Sequence, residues 1–146
     1  MTEEPRITRL ESSDVDAILA LWEKSGLPYK PKGRDDRKRL RDVIERGIEA
    51  FWGIYEEEKL VGVILVTHDG RKGWINRLAV DPAYQGKGWA RRLIRQAEDY
   101  LREAGVEIVA VLVENWNKES LNLFRSCGYT LHDDIYYLSK REQPDV

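Results

Sequence analysis

Residues 73–113 constrain the fold of this 146-residue chain more than any other part of it. An apolar, strand-like run, "GWINRLAV" (73–80), passes through "DPAYQGKG" (81–88) into a helical pattern, and a second apolar run, "VEIVAVLV" (106–113), follows. Between the two runs Ala90, Leu93, Ile94, Ala97 and Leu101 recur at the spacing of one helix face over about 88–103, and Gly105 closes the helix. A strand, a helix and a strand in this order form a crossover, which places two parallel strands in one sheet. "VEIVAVLV" is apolar almost throughout, as expected of a strand covered on both faces.

The rest of the chain supplies antiparallel strands and further helices. "RITRL" (6–10) reads as a strand, and Ser12 or Ser13 then caps a helix that buries Val15, Ile18, Leu19 and Trp22. "SGLPYKPKGRDD" (25–36) holds two prolines and two glycines and reads as a loop. A second helix over about 35–46 buries Leu40, Val43 and Ile44, and Gly47 ends it. "AFWGIYE" (50–56) and "KLVGVILVTH" (59–68) are strands joined by short turns to each other and to 73–80, which makes an antiparallel meander. A fourth helix over about 117–126 buries Leu123, Phe124 and Cys127, and "YTLHDDIYYLSK" (129–140) is expected to finish as a strand, in a hairpin. The order is β-α-α-β-β-β-α-β-α-β, a mixed α/β domain expected to span 1–146.

Composition excludes several classes. A formal charge of −2 opposes a general nucleic-acid binder. "LVGVILV" (60–66) is too short to span a bilayer, and "MTEEPRITRL" has no apolar targeting core, so a cytoplasmic protein without a membrane role is expected. Cys127 is the one cysteine, accompanied only by His68 and His132, so neither a disulfide nor a metal site is expected. Cys127 falls on the buried face of its helix and reads as a small apolar residue.

Gly86 and Gly88 sit where the strand becomes a helix. Glycine permits positive φ, and a helix start offers unpaired N–H groups and partial positive charge, so this turn is suited to an anion. The sequence does not supply a phosphate-binding G-x-x-x-x-G-K-[ST] loop. A dinucleotide G-x-G-x-x-G fails at its third glycine, which is Arg91, and Glu107 is misplaced as its acidic partner. A Q/R-x-x-G-x-G/A pattern does fit, through Gln85, Gly88 and Ala90. Roughly 30 residues later an N-x-x-A-x-x-L-Y-x-x-x-G-F pattern is matched by "NKESLNLFRSCGY" at Asn117, Ser120, Leu123, Phe124, Gly128 and Tyr129. With both patterns in this order, the chain resembles the GNAT superfamily of acetyl-CoA-dependent N-acetyltransferases over roughly residues 5–140.

The resemblance implies a GNAT-type sheet, mixed and mostly antiparallel, with helices on both faces. It also implies direct transfer of acetyl from acetyl-CoA to an amine, with no metal. Cofactor contacts are implied at Leu78, Ala79 and Val80 on the strand, at Gln85, Gly86, Lys87, Gly88, Trp89, Ala90 and Arg91 in the turn, and at Asn117 and Phe124 on the last helix. Two positions depart from the family pattern. Phe124 stands where many members carry a tyrosine that protonates the departing thiolate, which leaves Tyr136 or Tyr137 as substitute acids. Asn76 stands about where many members carry a glutamate base; it can hold a water, and Glu114, His68 and Asp69 are other candidates for the base. Trp74 and Trp116 flank the expected slot, and the acceptor, a protein or a small-molecule amine, is expected to meet "SGLPYKPKGRDD" and "HDDIYY". The departures keep open an alternative, an acyl-CoA-binding sensor without turnover, and a homodimer through strands or the C-terminal hairpin is a further possibility.

Overall fold

The computed structural model describes residues 5–26 and 29–144. Five strands, β1 (Ile7–Arg9), β2 (Ala50–Glu56), β3 (Lys59–His68), β4 (Lys72–Val80) and β5 (Ile108–Val111), lie in one sheet in the order β1-β2-β3-β4-β5. The first four pair antiparallel and β5 joins β4 in parallel, across the crossover helix. The helices are α1 (Val15–Ser25), α2 (Arg37–Glu45), α3 (Trp89–Glu103) and α4 (Lys118–Ser126). The fold class is the one expected from the sequence.

Strand alternation divides the core in two. Facing α3 and α4, the side chains of Ile54, Val61, Ile64, Ile75, Leu93, Leu101 and Phe124 pack together; Cys127 packs against them, half-buried. Facing α1 and α2, Ile18, Trp22, Leu40, Phe51, Val63 and Leu65 form the second cluster. Leu21 takes the buried position expected for Leu19, and Leu40 is the one fully buried residue of α2, with Val43 and Ile44 half-buried. Neither Ser12 nor Ser13 caps α1. A 3-10 turn at Ser12–Asp14 precedes the helix, and the Asp14 carboxylate accepts the Glu11 N–H at 2.8 Å and the Tyr55 hydroxyl at 2.7 Å.

Two expectations fail at the C-terminal end. β5 is not buried on both faces: its residues are exposed or half-buried, and Ile108 at its start and Leu112 just past its end are exposed; it also lies at the outer edge of the described sheet. Residues 129–140 form no strand: an alternating pattern supplies side chains for a sheet face, but a strand forms only where a neighbour completes its hydrogen bonds.

Candidate active site

β4 changes character halfway along. β5 accompanies it from Lys72 opposite Ile108 to Ile75 opposite Val111 and then diverges. On the other side β3 stays paired to the end, with Gly62 opposite Val80. The divergence coincides with a β-bulge: Leu65 pairs with Arg77 and Val66 with Ile75, so Asn76 is the extra residue. Between Asn76 and Val80, alternate residues therefore turn backbone N–H and C=O groups into the gap that β5 has left.

Asp81 anchors the strand's exit. Its N–H donates to the Val61 carbonyl at 2.8 Å, and its fully buried carboxylate accepts the Ala83 N–H at 2.9 Å, capping a 3-10 turn at Pro82–Tyr84. The same carboxylate meets the Lys24 ammonium at 2.9 Å and that of Lys59 at 3.3 Å. The Lys24 hydrogen bond, then that from Ala83, holds its pKa down at about 2.

The glycine turn follows. Gly86 and Gly88 have φ of 82° and 81°, left-handed backbone that other residues adopt only with strain, and a Cβ at either would face open space. Their requirement is conformational. Gly88 is the N-cap of α3 and brings no capping side chain, and the first turn of the helix holds no acidic residue. The first helical N–H with an acceptor is that of Arg92, bonded to Gly88 at 3.2 Å. The N–H groups of Trp89, Ala90 and Arg91 are thus left at the positive end of a 15-residue helix without helical acceptors. The Trp89 side chain packs inward, stacked on Tyr84 at 5.5 Å, while the Lys87 ammonium lies over the two rings at 5.6 and 5.3 Å. The Arg91 guanidinium reaches Cys127 Sγ at 3.7 Å and so leans towards the end of α4.

Two adjoining cavities lie along these elements. A groove of about 790 Å³ runs from Leu78, Ala79 and Val80 past Gln85, Gly86 and Gly88, and along the first turn of α3 at Trp89, Ala90 and Arg91 to Asn117 and Leu123. A smaller cavity of about 140 Å³ fills the divergence of the strands, with Asn76, Arg77, Val113, Glu114, Trp116 and Phe124 around it. Leu78, Asn117 and Ser120 line both.

Ten of the twelve residues implied for the cofactor thus border the larger groove; Lys87 rests on aromatic rings beside it and Phe124 borders the smaller cavity instead. Asn117 is the N-cap of α4, its side-chain oxygen accepting the Ser120 N–H at 3.1 Å. Asn76 and Glu114, distant in sequence, meet at the smaller cavity. The Asn76 amide donates to Thr67 Oγ1 at 2.8 Å, which leaves its carbonyl oxygen as an acceptor. Phe124 is buried, edge-on to Tyr129 at 5.3 Å; burial, and then a 2.8 Å bond to Glu98, raises the Tyr129 phenol far above its ordinary range.

Tyr136 and Tyr137 do not take the place expected of them. Both lie exposed on the C-terminal segment and border neither cavity, because the strand that would have turned one of them inward is not formed. His68 and Asp69 build the β3–β4 turn, where the imidazole Nδ1 accepts the Gly70 N–H and the carboxylate accepts those of Arg71 and Lys72. Trp116 borders the smaller cavity; Trp74 does not, and lies under the Lys72 ammonium at 4.5 Å.

Sequence reasoning missed a polar knot on the opposite face of β4. Arg77 pairs with Asp35 at 2.7 Å, both nearly buried, and its guanidinium lies over the Trp22 ring at 4.5 Å. Asp35 also accepts the Lys30 N–H at 2.6 Å, so the loop expected to meet the acceptor is tied to the strand beside the cavity. Leu27 and Pro28 of that loop lie outside the described residues. Nearby, burial, and then the Asp35 charge, raises the pKa of Glu49 above the ordinary carboxylate range. Among the described residues no group of His, Cys, Asp and Glu is placed to hold a metal ion, and no helix is long and apolar enough to cross a membrane.

Known proteins share this fold. The chain is 26% identical over 130 residues to acetyltransferase SG1711 of Sodalis glossinidius, an alignment covering 88% of this chain and 89% of that protein. The structure of the PaiA N-acetyltransferase from Thermoplasma acidophilum in complex with coenzyme A has a TM-score of 0.80 to it, at 18% identity, covering 91% of this chain and 94% of the other. An aminoglycoside acetyltransferase from an uncultured soil metagenomic sample has a TM-score of 0.79, at 21% identity over 94% and 96% of the two chains. A ribosomal-protein-alanine N-acetyltransferase from Brucella melitensis gives 0.73, at 15% identity over 93% and 98%. These solved structures share the overall fold, and the model of the acetyltransferase (GNAT) family matches residues 15–129, the stretch that holds both β4 with its glycine turn and α4. On that match the chain belongs to the GNAT family of acetyltransferases.

Proposed function

We propose that this chain, acting as one domain, is an N-acetyltransferase that moves the acetyl group of acetyl-CoA to a primary amine by direct attack. The observation that carries the reading is that the open half of β4 and the uncapped start of α3 border one continuous groove. The donor set suits coenzyme A. Backbone N–H groups from Gly86 to Arg91, at a positive helix end whose first turn holds no acidic residue, would receive the pyrophosphate. Groups of Leu78, Ala79 and Val80 that β5 leaves unpaired would hydrogen-bond the pantetheine arm, adding to the groove as a strand would.

Bound there, the thioester supplies an electrophilic acyl carbon and a thiolate leaving group. An unpaired N–H of the Leu78–Val80 stretch would take the charge that develops on the acyl oxygen. An ammonium has no lone pair, so the acceptor must first lose a proton. Glu114 is the carboxylate at the smaller cavity and would take that proton, directly or through a water held by the Asn76 carbonyl. The N–C bond forms as the C–S bond breaks. Phe124 offers the departing sulfur no proton, and a thiol of pKa about 8.5 leaves as thiolate and is protonated from solvent. A free Cys127 suits a reducing compartment, and we place the reaction in the cytoplasm.

Titration calorimetry with acetyl-CoA, CoA and ATP, followed by thiol release on an amine panel, tests the reading. The panel holds aminoglycosides and peptides with N-terminal alanine, the acceptors named for similar structures, together with simple diamines. Binding of both CoA species but not ATP, with thiol release for one class, is expected. CoA binding without release on any amine favours the acyl-CoA sensor, the reading that a cavity walled by Phe124 supports. Absence of CoA binding overturns both.

A further inference from the structure

The segment between α1 and α2 runs past both cavities. It leaves α1 at Ser25, which borders the larger groove, and reaches Asp35, whose partner Arg77 borders the smaller cavity. Tight turns fold its second half. The Lys30 carbonyl accepts the N–H groups of Gly33 and Asp35, both at 3.0 Å, and the Gly33 carbonyl accepts that of Asp36 at 3.1 Å. The Asp35 carboxylate fastens these turns to β4 through Arg77 at 2.7 Å. A buried ion pair carries a heavy desolvation cost, and an apolar pair of similar volume is often at least as stabilising. This one also leaves a second guanidinium nitrogen of Arg77 buried without an acceptor among the described residues. What the pair secures is position: residues 30–36 are held beside the smaller cavity.

The same stretch carries an unbalanced charge. Residues 30–39 hold six cations and two carboxylates, in a chain of net charge −2. Both carboxylates are engaged within the fold, Asp35 with Arg77, and Asp36 with the Lys38 and Arg39 N–H groups at the start of α2. Arg37 pairs with Asp16 at 2.8 Å. Lys30, Lys32, Arg34, Lys38 and Arg39 form no ion pair among the described residues, and all but the half-buried Lys30 are exposed. Glu49 feels the Arg34 charge but is itself half-buried and forms no ion pair with it. A positive rim held beside the cavity attracts anionic molecules and repels cationic ones over about 10 Å at ordinary salt.

We infer that residues 30–39 select the acceptor, and that, given the acetyl transfer proposed above, this acceptor is a peptide whose N-terminal amine is followed by acidic side chains. The amine enters the smaller cavity beside Asn76 and Glu114, and the acidic residues behind it meet the five cations. Its nitrogen bonds to the acyl carbon as the C–S bond breaks, its proton passes to Glu114, and CoA leaves as the thiolate. Proton chemistry favours an N-terminus over other amines. An α-amine titrates near 7.7–8.0 and a lysine near 10.4, so at pH 7 roughly one α-amine in seven is already neutral, against roughly one lysine in 2,500. Where β4 presents Asn76 and not a carboxylate, an acceptor that gives up its proton readily is the better fit. A polycationic aminoglycoside meets the opposite field, and a nucleic acid matches the charge but brings no α-amine.

Fluorescence anisotropy on the CoA-loaded full-length chain tests this, with labelled peptides that begin with alanine and continue with three acidic or three basic residues. The acidic peptide is expected to bind about tenfold more tightly than the basic one, and less tightly as added salt screens the rim. Lys32→Glu with Arg34→Glu should reverse that order with CoA affinity unchanged. Arg71→Glu with Arg95→Glu, an equal change of net charge at exposed positions elsewhere, should leave the order as in the parent. Thiol release from acetyl-CoA should follow the order of binding. Equal binding of the two peptides, or a rim variant that matches the control, overturns the inference. Tighter binding of a short single-stranded RNA than of the acidic peptide, or faster acetylation of aminoglycosides, overturns it while acetyl transfer stands. A chain that binds no CoA overturns the acetyl-transfer reading, and this inference with it.

Discussion

The two halves of β4 are held by different forces. From Lys72 to Ile75 the strand is paired on both sides, by β5 throughout and by β3 from Gly73 onward. From Asn76 to Val80 it is bonded on one side only, and what fixes it there is a set of side chains: Arg77 on Asp35, then Asp81 on Lys24, Lys59 and the Ala83 N–H. Backbone left free for a ligand cannot also serve the sheet. The stability lost from the ladder is replaced by charge pairs on the face and at the exit of the same strand, which keep the free groups in place without occupying them.

The contrast is most exposed at Arg77. Arg77→Ala strands the Asp35 carboxylate in a nearly buried site and should cost about 3–5 kcal/mol, read as a lower midpoint in denaturant. Lys72→Ala, in the doubly paired half, removes an exposed side chain and should stay within about 0.5 kcal/mol of the parent. Comparable losses at the two positions would break the distinction. Next in size, Glu114→Gln should lower kcat about 100-fold with CoA affinity unchanged, equivalent to about 2.7 kcal/mol in barrier, on steady-state kinetics and calorimetry.

Asp81→Asn should cost roughly 1.5–3 kcal/mol, since a charged hydrogen-bond acceptor is lost from a fully buried position. Its pH signature is specific. A carboxyl held at about 2 when folded, against about 3.9 when unfolded, contributes fully above roughly pH 4 and loses that contribution as pH falls towards 2. Denaturation midpoints of the parent should fall more steeply through that window than those of the variant. The smallest effect is at Gly88. Gly88→Ala forces a side chain into left-handed backbone and tilts the first turn of α3, for an expected loss of about tenfold in CoA affinity, or about 1.4 kcal/mol, by calorimetry.

What could be read from the sequence was what local patterns encode. β2 and β3 begin and end where alternation and turn residues put them, and α3 keeps four of its five expected buried residues, with Ala90 half-buried beside the groove. The glycine turn was legible because positive φ is a demand on one residue at a time. The charge pairs were not. Asp35 and Arg77 are separated by 42 positions, and Lys24 and Lys59 look like ordinary surface lysines until the fold brings Asp81 between them. The bulge at Asn76 left no mark in a run that reads as a plain strand. β5 and the segment after it misled for the opposite reason. An apolar strand pattern states that a surface should be covered, but not which chain or which neighbour does the covering.

The bare start of α3 also governs how fast things arrive and leave. A chain of net charge −2 carries at this one mouth a helix's positive end with Lys87 and Arg91 beside it. For an anionic cofactor that field steers diffusion, and the encounter rate should fall as added salt screens it over about 10 Å. The product, a free CoA, departs with the same phosphates it brought and leaves against the same pull. Salt would therefore slow capture and hasten release. An enzyme working at low cofactor concentration would lose turnover with ionic strength, and one saturated with cofactor and limited by product departure would gain it.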